Sequence, residues 1–384
     1  MKIAHLCLSC FYIDGYSYQE NELVRQHVRD GHDVVVIAST EVFDEQRQLN
    51  YCPPGEYMGS DGARVIRLPY RRGLPLAVMK KLRMHPGVAG LLEREAPDVI
   101  LFHGLCGWEL LALKRYKARH PRARIFADSH EDFHNSARSI ISKHLLHRCY
   151  YKPILHRVKN SLEKVLCIST ETMDFVQNFY QIPSNQIEFF PLGGRILTDE
   201  EYAALRISGR ARHGIDPQEI LFVQSGKIDH AKKLIGTLQA FSKTPDERFR
   251  FIIAGHIHED LATDVDRLME NDSRVKFVGW QTADQLRELL CAADVYVQPG
   301  SQSATMQTSL CARCAVVLDD VPSHHPFVHG NGWLLNAQTS IEEVFEKIAE
   351  EPGELALMST RSGEVAARLL DYRVMAKRLT TPQP

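Results

Sequence analysis

The chain is expected to be an α/β protein built from two Rossmann-like domains. Two observations lead there. Short apolar runs ending in glycine or proline alternate with patterns of helical period along the sequence, the rhythm of βαβ units around a parallel sheet. The 384 residues, 44% hydrophobic and 24% charged, are ordinary globular material, too long for one compact core and suited to two.

Met1 to Ser9 reads as a first buried strand. The loop FYIDGYSYQENE and a helix stopping at Gly31 follow, and His32 to Ala38 is the second strand. This order opens a Rossmann-like domain, although the loop lacks the GxGxxG of a dinucleotide site. Gly15 permits close approach of backbone to a ligand. Residues 41–63 are polar, carry Pro53-Pro54-Gly55 and read as a loop. Arg64 to Leu68 is a strand, followed by Arg71, Arg72, Lys80, Lys81 and Arg83 around the apolar Leu74 to Met79. Asp98 to Gly104 is a strand that ends on His103. Ala123 to Asp132 is more informative: a buried strand delivers Asp128, His130, Glu131 and Asp132 to one rim position, a concentration of titratable groups that packing does not require.

Between Arg138 and Lys164, seven Lys or Arg and three His stand against one acid, Glu163, while Ile141, Leu145 and Cys149 recur at helical spacing. Such a stretch suits an anionic lipid surface, a solvated helix face or a cover for an acidic acceptor. Val165 to Ser169 and the run from Ile187 are further strands. Pro191-Leu-Gly193-Gly194-Arg195 then marks a boundary near residue 196, and Thr198 to Arg212 is a polar helical entry into the second domain.

In the second half, ILFVQSGKIDHAKK starts with a strand, turns at Ser225-Gly226 and presents Lys227 and Lys232 just before a helical pattern. Amides at a helix start, a dipole of about half a positive charge and two cations together make an anion site. Taken alone, the segment equally suits a solvated basic turn. Phe251 to His256, Val275 to Trp280 and Leu286 to Gly300 continue the rhythm and place Gly226, Gly255, Gly279 and Gly300 on the carboxyl rim of the sheet. Gly330 to Leu335, the helix Ile341 to Glu350 and two closing helical patterns complete the chain.

With 46 basic against 48 acidic residues, no global field draws the chain to nucleic acid. Nine cysteines scattered through apolar runs read as buried thiols, and the CxxC of Cys311 and Cys314 lacks a matching second pair, so packing is favoured over metal or redox use. The chain opens directly on a strand and has no run near ~20 apolar residues, so a cytoplasmic protein, at most peripheral on the membrane face, is expected.

Gly226-Lys227 followed by Lys232, then Ala254-Gly255, Val275-Lys-Phe-Val-Gly279 and Ala293-Asp-Val-Tyr-Val-Gln-Pro299 resemble, in that order, the retaining GT4 group of GT-B glycosyltransferases. The likeness extends over nearly the whole chain. That family usually carries two glutamates eight apart around the donor sugar and ribose, and this chain has none between Pro299 and Val317. Anchored on Val316-Val317, the second falls on Thr308, beside Gln307; anchored on Pro299, the first falls on Ser303. A neutral amide or hydroxyl hydrogen-bonds a sugar hydroxyl but supplies no charge.

The resemblance implies GT-B architecture, two Rossmann-like domains facing a deep interdomain cleft, with an acceptor-side domain over residues 1–195, a nucleotide-sugar domain over 196–360 and a C-terminal helix at 361–384 crossing back to the first domain. It implies transfer of a sugar from a UDP, GDP or dTDP sugar to a glycan or lipid-linked acceptor in bacterial envelope polysaccharide assembly, with retention and with no metal or other cofactor. His130 falls on the family's cleft histidine, and Lys227 and Lys232 on the groups that neutralise the leaving phosphate. Gly15, Gly226, His256, Trp280, Ser303, Ala304, Thr305, Gln307 and Thr308 complete the implied donor site. Tyr18, Gln19, Glu20, His103 and Glu131 are the implied acceptor residues. The lost acid pair motivates an alternative, a degenerate GT-B protein that binds a nucleotide or glycan and scaffolds or regulates without transfer.

Overall fold

A computed structural model describes residues 1–44, 46, 48–133, 136, 139, 142–300 and 303–381. The chain divides into two compact units, one made of Met1–Pro191 with the segment from Tyr372 onward, the other of Leu192–Asp371.

The strands of the first unit are β1 (Lys2–Cys7), β2 (Asp33–Ser39), β3 (Glu41–Phe43), β4 (Leu49–Tyr51), β5 (Gly55–Met58), β6 (Arg64–Leu68), β7 (Val99–Phe102), β8 (Arg124–Ser129), β9 (Lys164–Cys167) and β10 (Ile187–Phe189). Eight of them form one sheet of order β10-β9-β8-β7-β1-β2-β6-β5. It is parallel except at the edge, where β5 runs antiparallel to β6. The β3–β4 ribbon and β5 lie where the sequence reads as loop. Their residues are largely exposed, so no apolar alternation announces them.

The inner strands are apolar throughout because helices cover both faces. Leu6, Ile37, Phe102 and Ile125 pack on one face with residues of the helices Leu110–Arg119 and Lys152–Val158. Ile3, Val36, Leu101 and Phe126 pack on the other with Leu23 and Val24 of the helix Gln19–Arg29 and Met375 and Leu379 of the helix Tyr372–Thr380. Arg378 Nε donates to Glu188 at 2.9 Å and Arg124 to the Leu379 carbonyl at 3.0 Å, which holds this last helix on the unit.

The second unit is entered by the helix Asp199–His213, where Thr198 and Glu201 form a reciprocal capping box and Gly214, at φ 70°, closes the far end. Its strands are β11 (Ile220–Ile228), β12 (Phe249–Ile257), β13 (Val275–Phe277), β14 (Val295–Gln298), β15 (Ala315–Asp319) and β16 (Gly332–Leu335). They form a six-stranded sheet of order β13-β12-β11-β14-β15-β16, every pair parallel. Phe222, Phe241, Phe249, Phe251 and Phe345 are fully buried on one face, each contributing about 2–3 kcal/mol by leaving water. β11 runs five residues beyond the expected end at Val223, because Gly226 pairs with Gly255 at a place where a Cβ on Gly255 would meet the Gly226 carbonyl oxygen at 2.0 Å. Lys227 therefore lies on the strand itself.

Both sheets reverse their strand order beside the first strand, between β1 and β7 in one unit and between β11 and β14 in the other. Loops leaving the carboxyl ends of such a strand pair part to opposite sides and open a crevice.

Candidate active site

At the reversal point of the second unit, the turn after β11 lies against the loop after β14, which precedes the helix Ala304–Cys311. Lys227 is exposed, and Lys232 is half-buried at the end of the 3-10 turn His230–Lys232. Burial lowers the pKa of the Lys232 ammonium, with Asp229 opposing. Backbone atoms pin this turn: buried Gln224 donates through Nε2 to the Lys232 carbonyl at 2.7 Å, and Lys232 N–H donates to the Asp229 carbonyl at 3.0 Å. Gly300, at φ 105°, lies so close that a Cβ would sit 1.9 Å from the Ala231 carbonyl oxygen, so only glycine lets the loop after β14 rest on the lysine turn.

Ser303 caps the helix, accepting from Met306 N–H at 3.3 Å and donating to Gln298 Oε1 at 2.5 Å. Ala304 is exposed and Thr305 half-buried in its first turn, where amides have no partner within the helix. Gln307 is 1% exposed, and its Oε1 has no hydrogen-bond partner among the described residues. Thr308 donates to the Ala304 carbonyl at 3.0 Å. His256 is exposed one residue after Gly255, and Trp280, 58% exposed, follows Gly279. A third lysine that sequence reading passed over, Lys233, pairs with Asp319 at 2.5 Å and borders a cavity of about 490 Å³ that Thr237, Asn336 and Glu342 also line.

In the first unit, the loops after β1, β7 and β8 meet at its reversal point. Gly15 (φ 79°) is exposed, while Asp14 accepts from Ser60 N–H at 2.9 Å and Oγ at 2.7 Å. Gly104 (φ 99°) leaves 2.7 Å between a notional Cβ and Ser9 Cβ. Tyr18 is exposed at the helix start. Gln19 and Glu20, expected in the loop, instead lie in the first helical turn and are 5% and 9% exposed. Gln19 Nε2 donates to the Pro191 carbonyl at 3.4 Å, and burial raises the pKa of Glu20 against the pull of His103.

The His130 side chain is 42% exposed, with Nε2 3.9 Å from Asp128 Oδ1. Asp128 is buried and accepts from His103 Nδ1 at 2.6 Å and Gly104 N–H at 2.7 Å. His103, expected on the rim, is itself buried, because its ring continues a line inward. Its Nε2 is 3.0 Å from His5 Nδ1, His5 Nε2 is 3.0 Å from His27 Nδ1, and His27 Nε2 is 3.4 Å from the Ala376 carbonyl. Burial holds His5 well below the usual histidine range and His27 at about 4. At His103 burial works against the charge, but Cys7 and hydrogen-bonded Asp128 outweigh it and raise the pKa.

Glu131 turns inward to a different cluster. Cys106 Sγ donates to Glu131 Oε1 at 2.8 Å and the Tyr180 hydroxyl donates to Oε2 at 3.0 Å, while that hydroxyl also lies 2.7 Å from His147 Nδ1. Ligand atoms of Cys106, Glu131 and His147 lie within 4.8 Å of one another, a thiol, carboxylate and imidazole set of the type that holds zinc. Burial, then Glu131, raises the thiol pKa of Cys106. All nine cysteines are free, and Cys311 and Cys314 are buried, with Cys314 donating to the Leu290 carbonyl at 3.2 Å, as packing requires.

Residues 15–193 match the family model of a glycosyl transferase 4-like domain, and residues 217–350 match that of glycosyl transferases group 1. No curated protein matches by sequence. Among solved structures, Anabaena Alr3699/HepE in complex with UDP is similar at 16% identity and a TM-score of 0.62, covering 99% of this chain and 98% of its own. WaaG, a glycosyltransferase involved in lipopolysaccharide biosynthesis, is similar at 15% identity and a TM-score of 0.62, covering 99% and 100%. A trehalose-6-phosphate protein of E. coli bound with UDP-2-fluoro glucose reaches a TM-score of 0.66 at 9% identity, covering 100% of both chains. At such identities the likeness is one of fold. With a glycosyl transferase model matching in each unit, and a Rossmann-like sheet in each, the chain is a GT-B glycosyltransferase.

Proposed function

We propose that the enzyme transfers a sugar from a nucleotide-sugar donor to a glycan or lipid-linked acceptor of a bacterial envelope polysaccharide, with retention and without a metal at the leaving group. The observation that carries this reading is the close approach of Gly300, in the loop after β14 and ahead of the Ala304–Cys311 helix, to the lysine turn at Ala231. Lys227, Lys232 and the amides of Ala304 and Thr305 supply fixed positive charge for a diphosphate. As the C1–O bond breaks, the electron pair stays on the phosphate oxygen, and these groups stabilise that growing charge. The acceptor hydroxyl bonds to C1 from the same face, and the departing phosphate takes its proton. In this reading the buried Gln307 amide oxygen, which has no partner among the described residues, accepts from a donor hydroxyl in the role of the missing acid. HepE binds UDP and UDP-glucose, which makes UDP-glucose the first donor to try.

The test is donor consumption and product formation with UDP, GDP and dTDP sugars and a glycan acceptor panel. Binding with neither transfer nor hydrolysis across the panel would favour the scaffold reading, which the Thr308 hydroxyl, bonded to its own helix, supports. His130 lies on the rim of the first unit, and we assign it a part in transfer. His130→Ala is expected to lower kcat roughly 30-fold at constant donor affinity, and an unchanged kcat would return His130 to a structural role.

The acceptor side is proposed to dock on anionic lipid. Leu145, 70% exposed, stands with Lys143 and Arg148 on the π-helical segment Ser142–Tyr151. Tyr150 ties that segment to the Leu82 carbonyl at 3.0 Å, and the neighbouring helix exposes Leu76 and Val78 beside Lys81. Cations beside exposed apolar side chains suit a headgroup surface. Arg138 and Ile141 of the expected basic stretch lie outside the described residues, and no helix among the described ones is long and apolar enough to cross a membrane. Leu145→Glu is expected to weaken sedimentation with phosphatidylglycerol vesicles about tenfold, and equal sedimentation of the two proteins would remove the lipid assignment.

A further inference from the structure

The line His27, His5, His103, Asp128 crosses the first unit from the last helix to the rim, and its polarity can be worked out from its ends. A carbonyl only accepts, so where His27 Nε2 meets the Ala376 oxygen it carries the proton, and Nδ1 is left as acceptor. His5 must then donate through Nε2 and accept through Nδ1. His103 must in turn donate through Nε2 to His5, and with its Nδ1 it donates to the Asp128 carboxylate. Each ring is thereby confined to one arrangement, and the last of them holds both protons beside a buried anion. The groups come from two strands, the residue that follows β7 and a helix, with a carbonyl of a second helix as the terminus. His5, His27 and His103 are 0%, 0% and 2% exposed, so water is not at hand to replace a lost partner.

We propose that His27 and His5 are positioning residues for sugar transfer: by requiring a proton on His103 Nε2 beside the one on Nδ1, they hold His103 as the cation that pairs with the Asp128 carboxylate beneath the rim. Asp128 in turn faces His130 Nε2 and holds the Gly104 amide, so the line sets both the field and the backbone position where the loops after β7 and β8 meet. The proposal rests on the reading of that rim as part of the transfer site. It also gives the returning helix a use in catalysis: Ala376 supplies the acceptor from which the whole proton order follows.

The test compares two substitutions in the full-length protein. His27→Leu fills the space and cuts the line, whereas His27→Gln keeps an acceptor towards His5 and a donor towards Ala376. With UDP-glucose as the first donor, His27→Leu is expected to lower kcat about tenfold with donor KM unchanged, and His27→Gln to recover it to within about twofold. Imidazole nitrogen NMR shifts, which need no donor, should show His103 doubly protonated in the wild type and His27→Gln and altered in His27→Leu. Unchanged His103 shifts in folded His27→Leu would overturn the proposal, as would a His27→Gln protein as impaired as His27→Leu. His130→Ala at the wild-type rate beside an impaired, His103-shifted His27→Leu would remove the role given to His130 and still support the line to Asp128.

Discussion

Replacing Lys232 by alanine is expected to lower kcat/KM about 10³-fold, a loss of about 4 kcal/mol in transition-state stabilisation, in a protein that stays folded. The size follows from the chemistry. A diphosphate leaving group gathers negative charge as the glycosidic bond breaks, and a fixed cation in a half-buried site acts there at lower effective dielectric than in water. The lowered pKa of Lys232 reports burial that a bound anion would offset. The fold should survive, because the turn is held by the carbonyl and amide of residue 232, which alanine retains. Lys232→Arg should restore only part of the rate, since a planar fork does not reproduce a point charge on this short turn. Steady-state kinetics with circular dichroism on the same samples decides it. A folded Lys232→Ala enzyme within a few-fold of wild type would remove the diphosphate from this turn.

The stability of the first unit is expected to fall steeply in acid, and His27 to account for on the order of 3 kcal/mol of that fall. Its folded pKa of about 4, lowered by burial against the pull of the Ala376 carbonyl, lies below the value of ~6.5 for an unfolded histidine. Between the two the unfolded chain binds the proton more readily, so the contribution of neutral His27 is complete above ~6.5, declines as pH falls and is gone below about 4. Other groups titrate in the same window, and Glu109, raised to about 7 by burial, acts with the opposite sign. A comparison cancels them: between pH 7 and pH 4 the wild type should lose about 3 kcal/mol more than His27→Gln in urea unfolding of this unit. Equal losses would show that His27 is already protonated in the folded protein.

How much of this was legible in the sequence depended on the range of the interaction. Gly226, Gly255 and Gly300 could be placed on the sheet rim because a glycine that ends an apolar run is a local mark, and each has a positive φ in the structure. The helical entry expected from Thr198 is the helix Asp199–His213, which Thr198 caps together with Glu201 three residues on. The β5 edge strand did not show, since exposed residues carry no hydrophobic period. Gln19 and Glu20 looked like loop polarity because nothing local reveals that a helix start will be covered by the rest of its unit.

The buried polar clusters of the first unit were out of reach for a related reason. His27 and His103 lie 22 and 98 residues from His5; His5 and His27 look unremarkable in their own windows, as do Cys106, His147 and Tyr180, while His103 and Glu131 read as rim residues and not as members of buried clusters. By itself the sequence determined the α/β class, the strand rims and the lysine turn, because periodicity, turn residues and caps act over a few positions. Only the tertiary structure decided which histidines share protons and that Glu131 turns inward, because burial and directional hydrogen bonds depend on strands that the sheet order, not the chain order, makes neighbours.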